Sequence, residues 1–229
     1  MIEFTSYASG STGNLYKATS DDTCSLMIEA GITPDRVMQA FNYQVSSIAG
    51  ALISHSHQDH CKSIEDVARL GIDCYMTRET ARDLNFDQAH RLKIITPMKK
   101  FSVDRFQVIA FPTIHDCPGS VGFLVADRED KLLYATDTYY ISNKFKGLTI
   151  IAIECNWSKE TWNPDIDLGL KRRIESTHLS LEVVKDFLTA NDLRKVREIH
   201  LLHMSNANSN AEYFKTEIQK LTGKPVLVD

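Results

Sequence analysis

Three histidines and one aspartate fall within six residues in the stretch Ser54-His55-Ser56-His57-Gln58-Asp59-His60. Imidazole and carboxylate are the borderline and hard donors that suit zinc, manganese or iron. One residue separates His55 from His57, so an extended backbone points both side chains the same way and lets them share one metal. Asp59 and His60 come as the chain turns and can hold a second. A solvated, histidine-rich loop is the plain alternative. Four candidate ligands in the order His-x-His-x-Asp-His favour metal.

The elements around this stretch support that reading. Ala49-Gly50-Ala51-Leu52-Ile53 is a short apolar run that predicts a buried strand. Ser63 is placed to cap a helix from Ile64 to about Leu70, with Asp66 as its capping-box partner. The cluster therefore sits on a loop leaving a strand end, where rigid scaffolds place reactive groups.

Three more candidates follow strand ends. The β-rich run from Arg105 to Phe111 ends at Pro112-Thr113-Ile114-His115-Asp116, which makes His115 the third ligand of the first metal. The segment Lys131 to Ala135 ends in Thr136-Asp137-Thr138. Asp137 has the two oxygens and the charge to bridge two cations. Alternation along Arg197 to Met204 puts His200 and His203 on opposite faces. His203, at the end of the run, is the better ligand, and His200 is expected to be packed or exposed. His90 reads as a surface histidine.

The other elements come from the same signals. Residues 2–7 and 14–19 alternate as paired strands. Between them, Ser9-Gly10-Ser11-Thr12-Gly13-Asn14 permits a tight turn with exposed amides, either an anion-facing loop near the metals or a plain hairpin. A strand is expected over residues 25–31, and Thr33 then caps a helix with Pro34 at its first position. Residues 73–76 read as a strand, with a helix from Thr77 to about Leu84. Residues 85–100 look polar and mixed, with Lys99-Lys100 in a solvated turn. A hairpin is expected from residues 121–126 and 131–135, and an apolar strand over residues 149–153. Lys171-Arg172-Arg173 is the sharpest basic cluster, either a phosphate-binding patch or a solvated helix face. Ser180 begins a helix to about Ala190, which puts His178 at a helix entry. A last helix runs from Asn210 to Gly223, before a short strand over residues 225–228.

Composition narrows the class. The chain has 229 residues, 43% of them hydrophobic, and a net charge of −4, so no global basic field draws nucleic acid toward it. No apolar run reaches membrane-spanning length, and Met1-Ile2-Glu3-Phe4 does not resemble a signal peptide. The five cysteines are scattered without a Cys-x-x-Cys pair, which points to a reducing cytoplasm and away from a disulfide framework or a cysteine zinc site. No linker or repeat interrupts the chain, so a single domain over residues 1–229 is expected. Strands in both halves with helices between them predict an α/β fold, an αββα sandwich of two mixed sheets with helices outside.

The ligand order resembles the metallo-β-lactamase-fold hydrolases. On that pattern His55, His57 and His115 hold one metal, Asp59, His60 and His203 hold the other, and Asp137 lies between. More locally, Gly10-Ser11-Thr12-Gly13-Asn14, Ala135-Thr136-Asp137, Leu170-Lys171-Arg172-Arg173-Ile174, His178-Leu179-Ser180 and Leu202-His203-Met204-Ser205 resemble the YycJ/VicX-like branch, whose members are implicated in DNA processing as 5′ exonucleases. Glu154, His178 and His203 are similar to residues of the tRNA 3′-processing endonucleases. Where the branch carries Asp-Ala-Gly, this chain has Glu29-Ala30-Gly31, a residue expected to support the site and not to ligate. No long tRNA-binding arm or inserted nuclease cap is evident.

The resemblance implies a phosphodiesterase or nuclease with two divalent metal ions (zinc, manganese or iron), acting first on DNA. His178, Glu154 and Asp59 are its expected catalytic residues. Lys171, Arg172, Arg173, Ser205 and Asn206 are its expected substrate-binding residues. A small cyclic phosphodiester substrate is the alternative within enzymes, and a catalytically idle metal-binding partner module is the alternative outside them. Thiolester or β-lactam hydrolysis ranks lower, because His178, Glu154 and the basic cluster suit phosphate. The oligomeric state is not read from sequence.

Overall fold

A computed structural model describes residues 1–20 and 24–229. The chain divides into two compact units, one of Met1–Pro112 with Cys117–Glu129, the other of Thr113–Asp116 with Asp130–Asp229.

In the first unit a six-stranded sheet runs in sequence order: β1 (Ile2–Ala8), β2 (Leu15–Ser20), β3 (Ser25–Ile28), β4 (Ile48–Leu52), β5 (Cys74–Thr77) and β6 (Leu92–Ile95). The pairs β1–β2 and β2–β3 are antiparallel, and the pairs from β3 to β6 are parallel. Strand β3 is buried along its whole length. It can be apolar on both faces because the parallel part of a sheet is covered on both sides. Helices α1 (Pro34–Ala40), α2 (Gln58–Cys61), α3 (Ile64–Arg69) and α4 (Arg78–Asp83) lie between the strands. Leu15, Met27, Ile53, Val67 and Met76 belong to the core beneath them. The unit also holds the antiparallel strands β7 (Lys100–Val103), β8 (Phe106–Pro112) and β9 (Val121–Ala126).

In the second unit β10 (Lys131–Ala135), β11 (Ile150–Glu154), β12 (Glu198–Leu202) and β13 (Val226–Val228) form a parallel ladder in that order. Helices α5 (Leu168–Thr177), α6 (Leu181–Ala190) and α7 (Ala211–Thr222) complete it. Parallel strands open on one end only, and reactive groups collect beyond their carboxyl ends. That is where β4, β10, β11 and β12 place the candidate residues.

Several expectations need correction. Strands β6 and β7 were not expected. Each is partly exposed, with Lys93, Ile94, Lys100 and Ser102 facing solvent, so neither carries a buried apolar run. Lys100 begins a strand, while the turn before it is made by Met98 at φ 63°. Strand β3 stops at Ile28 and does not reach Gly31, because Glu29 adopts φ 64°. Neither Thr33 nor Ser63 caps its helix through its side chain. The Ser63 hydroxyl donates to the Ile32 carbonyl, and Asp66 pairs with Arg69. Thr77, Ser180 and Asn210 do cap, accepting from Thr80, Val183 and Tyr213, and Gly223 ends α7 in the left-handed region at φ 66°. Among the described residues no helix is long and apolar enough to cross a membrane.

Candidate metal centre

The first unit gathers His55, His57, Asp59 and His60 on the loop after β4 and on the short helix α2. The His55 ring centroid is 4.9 Å from that of His57 and 4.1 Å from that of His60. The alternation expected for His-x-His therefore does bring the two rings together. Ser54 Oγ lies 2.8 Å from His55 Nδ1 and fixes that ring's rotation. The outer-shell partner of a ligating histidine commonly sets its tautomer in this way.

The backbone of this loop is clamped from behind. Asn14 N donates to the Asp59 carbonyl at 2.8 Å, and Ala30 N to the His60 carbonyl at 2.7 Å. Gly31 packs directly on the Asp59 carbonyl, where a Cβ would overlap the oxygen. Glu29, fully buried, accepts from Ser54 N at 3.3 Å through Oε2, and its Oε1 lies 3.6 Å from His60 Nδ1. It stands behind the histidines as a supporting residue. The Gly10–Asn14 loop, read from sequence as either anion-facing or a plain hairpin, is the other half of this clamp. Sequence reasoning missed Cys117. Its Sγ and ring nitrogens of His55 and His57 lie within 4.8 Å of one another. Cys117 has no cysteine at metal-ligand spacing, so nothing in the sequence signalled it.

The second unit gathers His115, Asp137, Glu154, His178 and His203. Asp137 follows β10 at φ 51°, and His203 follows β12 at φ 49°. Left-handed backbone at non-glycine residues persists where surrounding structure holds it, and it clusters at functional sites. Asp137 Oδ2 accepts from Thr136 Oγ1 at 2.8 Å. Its Oδ1 faces three imidazoles, at 3.3 Å from His178 Nδ1, 3.8 Å from His203 Nε2 and 3.9 Å from His115 Nε2. His115 Nδ1 lies 3.1 Å from the Thr177 carbonyl, and burial pushes this imidazole below its ordinary pKa despite Asp137.

Glu154, the last residue of β11, is fully buried. Oε1 lies 2.6 Å from His178 Nδ1, and Oε2 accepts from Thr138 N at 3.3 Å and Leu179 N at 3.1 Å. Burial opposes charge on both partners, yet the opposite charge and the hydrogen bond dominate. His178 is raised and Glu154 lowered, the directions of an ion pair. Asn156 Nδ2 donates to the His203 carbonyl at 2.8 Å and holds that residue's backbone.

The donor chemistry fits divalent metal. Donor atoms of Asp137, Glu154, His178 and His203 lie within 4.8 Å of one another, and a carboxylate oxygen surrounded by imidazoles is a cation-binding arrangement.

The expected substrate-binding residues meet varied surroundings. Arg173 Nε donates to Asp116 Oδ2 at 2.8 Å, and Lys171 Nζ lies over the Trp162 ring at 4.9 Å. Arg172 is exposed. The Ser205 hydroxyl accepts from Asn208 N and Nδ2 at 3.2 Å, which closes the turn after His203, and Asn206 is exposed. His200, expected to be packed or exposed, is buried with Nδ1 2.7 Å from Asp229 Oδ2. His90 is exposed, as expected.

Residues 26–204 match the family described as the beta-lactamase superfamily domain. The chain belongs to the beta-lactamase superfamily. Over 96% of its length it is similar to a Bacillus anthracis protein named exodeoxyribonuclease YycJ, at 24% identity and across 89% of that relative. YhfI, a metallo-β-lactamase fold protein from Bacillus subtilis, superimposes with a TM-score of 0.74 at 15% identity, covering 100% of this chain and 97% of that one. A diphosphatase of the PhnP family superimposes with a TM-score of 0.67 at 15% identity, covering 100% and 95%. The fold is of the α/β class, with two mixed sheets and helices, as strands in both halves with helices between them implied. This beta-lactamase superfamily member is a hydrolase, and its fold implies divalent metal ions.

Proposed function

We propose that the whole chain acts as one dinuclear-metal phosphodiesterase domain, and that its substrate is nucleic acid, with exonucleolytic processing of DNA as the leading activity. His55, His57 and His115 are the proposed ligands of one ion. Asp59, His60 and His203 are those of the other, with Asp137 shared. The likeness to the Bacillus anthracis exodeoxyribonuclease supports DNA. The observation that carries the reading is Asp137 Oδ1 amid His115, His178 and His203, beside the 2.6 Å Glu154–His178 contact. A shared carboxylate and a carboxylate-held imidazole next to it are the parts that phosphodiester hydrolysis needs.

When bound, the two cations acidify water near neutral pH and neutralise charge on phosphate oxygens. His178 has Nδ1 engaged by Glu154, which leaves Nε2 to carry the proton given to the departing oxygen. Glu154 accepts from Nδ1–H, which fixes the ring's orientation, and its charge raises the ring's pKa. Arg172 and Arg173 contribute charge-assisted hydrogen bonds to flanking phosphates, Arg173 once Asp116 releases it. Zinc, manganese and iron all suit the mixed donors. The five cysteines, none joined in a disulfide, favour a reducing cytoplasm as the place of action.

A small phosphodiester is the second reading. The engagement of Arg173 by Asp116 and of Lys171 by Trp162 favours it, because it occupies two of the three cations of that cluster. The deciding experiment uses 5′- and 3′-labelled single- and double-stranded DNA and RNA, with manganese and then zinc, alongside His57→Ala. Stepwise shortening that the variant abolishes supports the exonuclease and gives its polarity. Hydrolysis of bis-p-nitrophenyl phosphate without cleavage of any polymer selects the small substrate. Metal binding without hydrolysis of either leaves an idle binding module.

A further inference from the structure

The Asn14 side chain is fully buried, and its amide orientation is fixed by its neighbours. Oδ1 accepts from Gly10 N and from Tyr16 OH, both at 2.9 Å. The nitrogen therefore faces the acceptors. Nδ2 lies 3.0 Å from the Gly10 carbonyl, 3.1 Å from the Asp59 carbonyl and 3.0 Å from His60 Nε2. A primary amide carries two N–H protons, and here it meets three acceptors.

We infer that Asn14 is a positioning residue for His60: it selects the imidazole tautomer with the proton on Nδ1 and holds the Nε2 lone pair aimed at the metal position. The inference rests on His60 being a metal ligand. Nδ2 can only donate, so in a hydrogen bond across this 3.0 Å contact His60 Nε2 is the acceptor and the ring proton sits on Nδ1. That nitrogen faces the buried carboxylate of Glu29, Oε1 at 3.6 Å. Asn14 and Glu29 thus ask for the same tautomer, the one that presents Nε2 to a cation, against the pull of the Asp59 carboxylate, whose Oδ2 lies 3.5 Å from Nε2. The three-acceptor arrangement also makes the exchange easy. Once a cation takes the Nε2 lone pair, the two amide protons remain matched to the Gly10 and Asp59 carbonyls, and no buried donor is stranded. Asn14 N donates to the same Asp59 carbonyl at 2.8 Å, so one residue fixes both the loop backbone and the ligand ring.

The test is nitrogen-detected NMR on metal-stripped protein labelled at histidine, with His60 assigned from a His60→Gln spectrum. In the wild type, His60 should show a protonated Nδ1 and an unprotonated Nε2. In Asn14→Leu, which keeps the size but cannot donate, the Nε2–H tautomer should appear. Zinc affinity at the site holding His60 should fall about 10- to 100-fold, with little change at the site holding His55. A wild-type His60 protonated on Nε2 would overturn the inference, and this needs no variant to fold. An unchanged tautomer and zinc affinity in folded Asn14→Leu would overturn it as well. Failure of the wild type to bind zinc, with His60 in the stated tautomer, would defeat the metal reading and leave the Asn14–His60 contact standing.

Discussion

Glu154 Oε1 lies 2.6 Å from His178 Nδ1, inside a unit where Asp137 Oδ1 is 3.3 Å from the same nitrogen. This half-buried imidazole faces two carboxylates, which raise its pKa against the opposing effect of burial. His178 is also the first of the three residues that link α5 to α6, following Thr177 and two before the Ser180 cap, so its backbone is held between two helix ends.

His178→Ala should lower turnover about 10²- to 10⁴-fold, the span of a lost general acid, while both metal equivalents remain bound. Glu154→Gln should fall between this variant and the wild type, since it keeps the shape but loses the charge. Turnover on bis-p-nitrophenyl phosphate and metal content by mass spectrometry decide it. Loss of a full metal equivalent in His178→Ala would make His178 a ligand.

The pair should also appear in the pH dependence of stability. His178 is raised above its ordinary 6.5, so its contribution is complete below 6.5 and is lost as pH climbs through the raised value. Glu154 is lowered below its ordinary 4.5, so its contribution is complete above 4.5 and is lost as pH falls through the folded value. In metal-stripped protein, the difference in Tm between the wild type and a Glu154→Gln, His178→Gln double variant should be largest between those two ordinary values. A difference that stays flat from pH 5 to the highest pH at which the wild type remains folded would show that the two groups do not stabilise as an ion pair.

Gly31→Ala should unseat the metal loop, because the added Cβ would meet the Asp59 carbonyl, a backbone atom with no rotamer to escape into. A cost on the order of 3 kcal/mol or more is expected, from overpacking against a fixed oxygen. Chemical denaturation measures it. A wild-type midpoint in the variant would place Gly31 away from that carbonyl.

Thiol labelling should separate the cysteines. Burial pushes Cys61 and Cys74 up to about 12, with nearby carboxylates adding to the shift. At pH 8 only about one in 10⁴ of each is then thiolate, the reactive form. Cys117 is half-buried beside His55 and His57. Iodoacetamide on native protein should modify Cys117 first, and mass mapping of the labelled peptides reads the order. Faster labelling of Cys61 would mean that the loop behind the histidines opens readily.

The sequence by itself determined the ligand candidates and the strands that carry them. His-x-His-x-Asp-His after an apolar run, then His115, Asp137 and His203 each beyond a strand end, are local patterns. Burial of a strand shows as an unbroken apolar run, and the ligand position is simply where that run stops. Glu154 also stands where an apolar run stops, while His178 showed as a helix entry before Ser180, and the roles of both came from the resemblance to the tRNA 3′-processing endonucleases. The exposed edge strands β6 and β7 were not, because a strand with solvent on one side needs no apolar pattern. The hydroxyl of Ser63 went to Ile32 and not to its own helix, a choice set by which acceptor the folded chain brings closest.

Tertiary structure alone decided the rest. Asn14 reaches Asp59 and His60 across more than forty positions. Cys117 joins His55 and His57 with no spacing signal, and Asp116 engages Arg173 from 57 positions away. Contacts of this kind depend on how strands pair and where loops are pinned. A basic run or a small-residue turn reads the same in sequence whether its partner is solvent, a phosphate or another side chain.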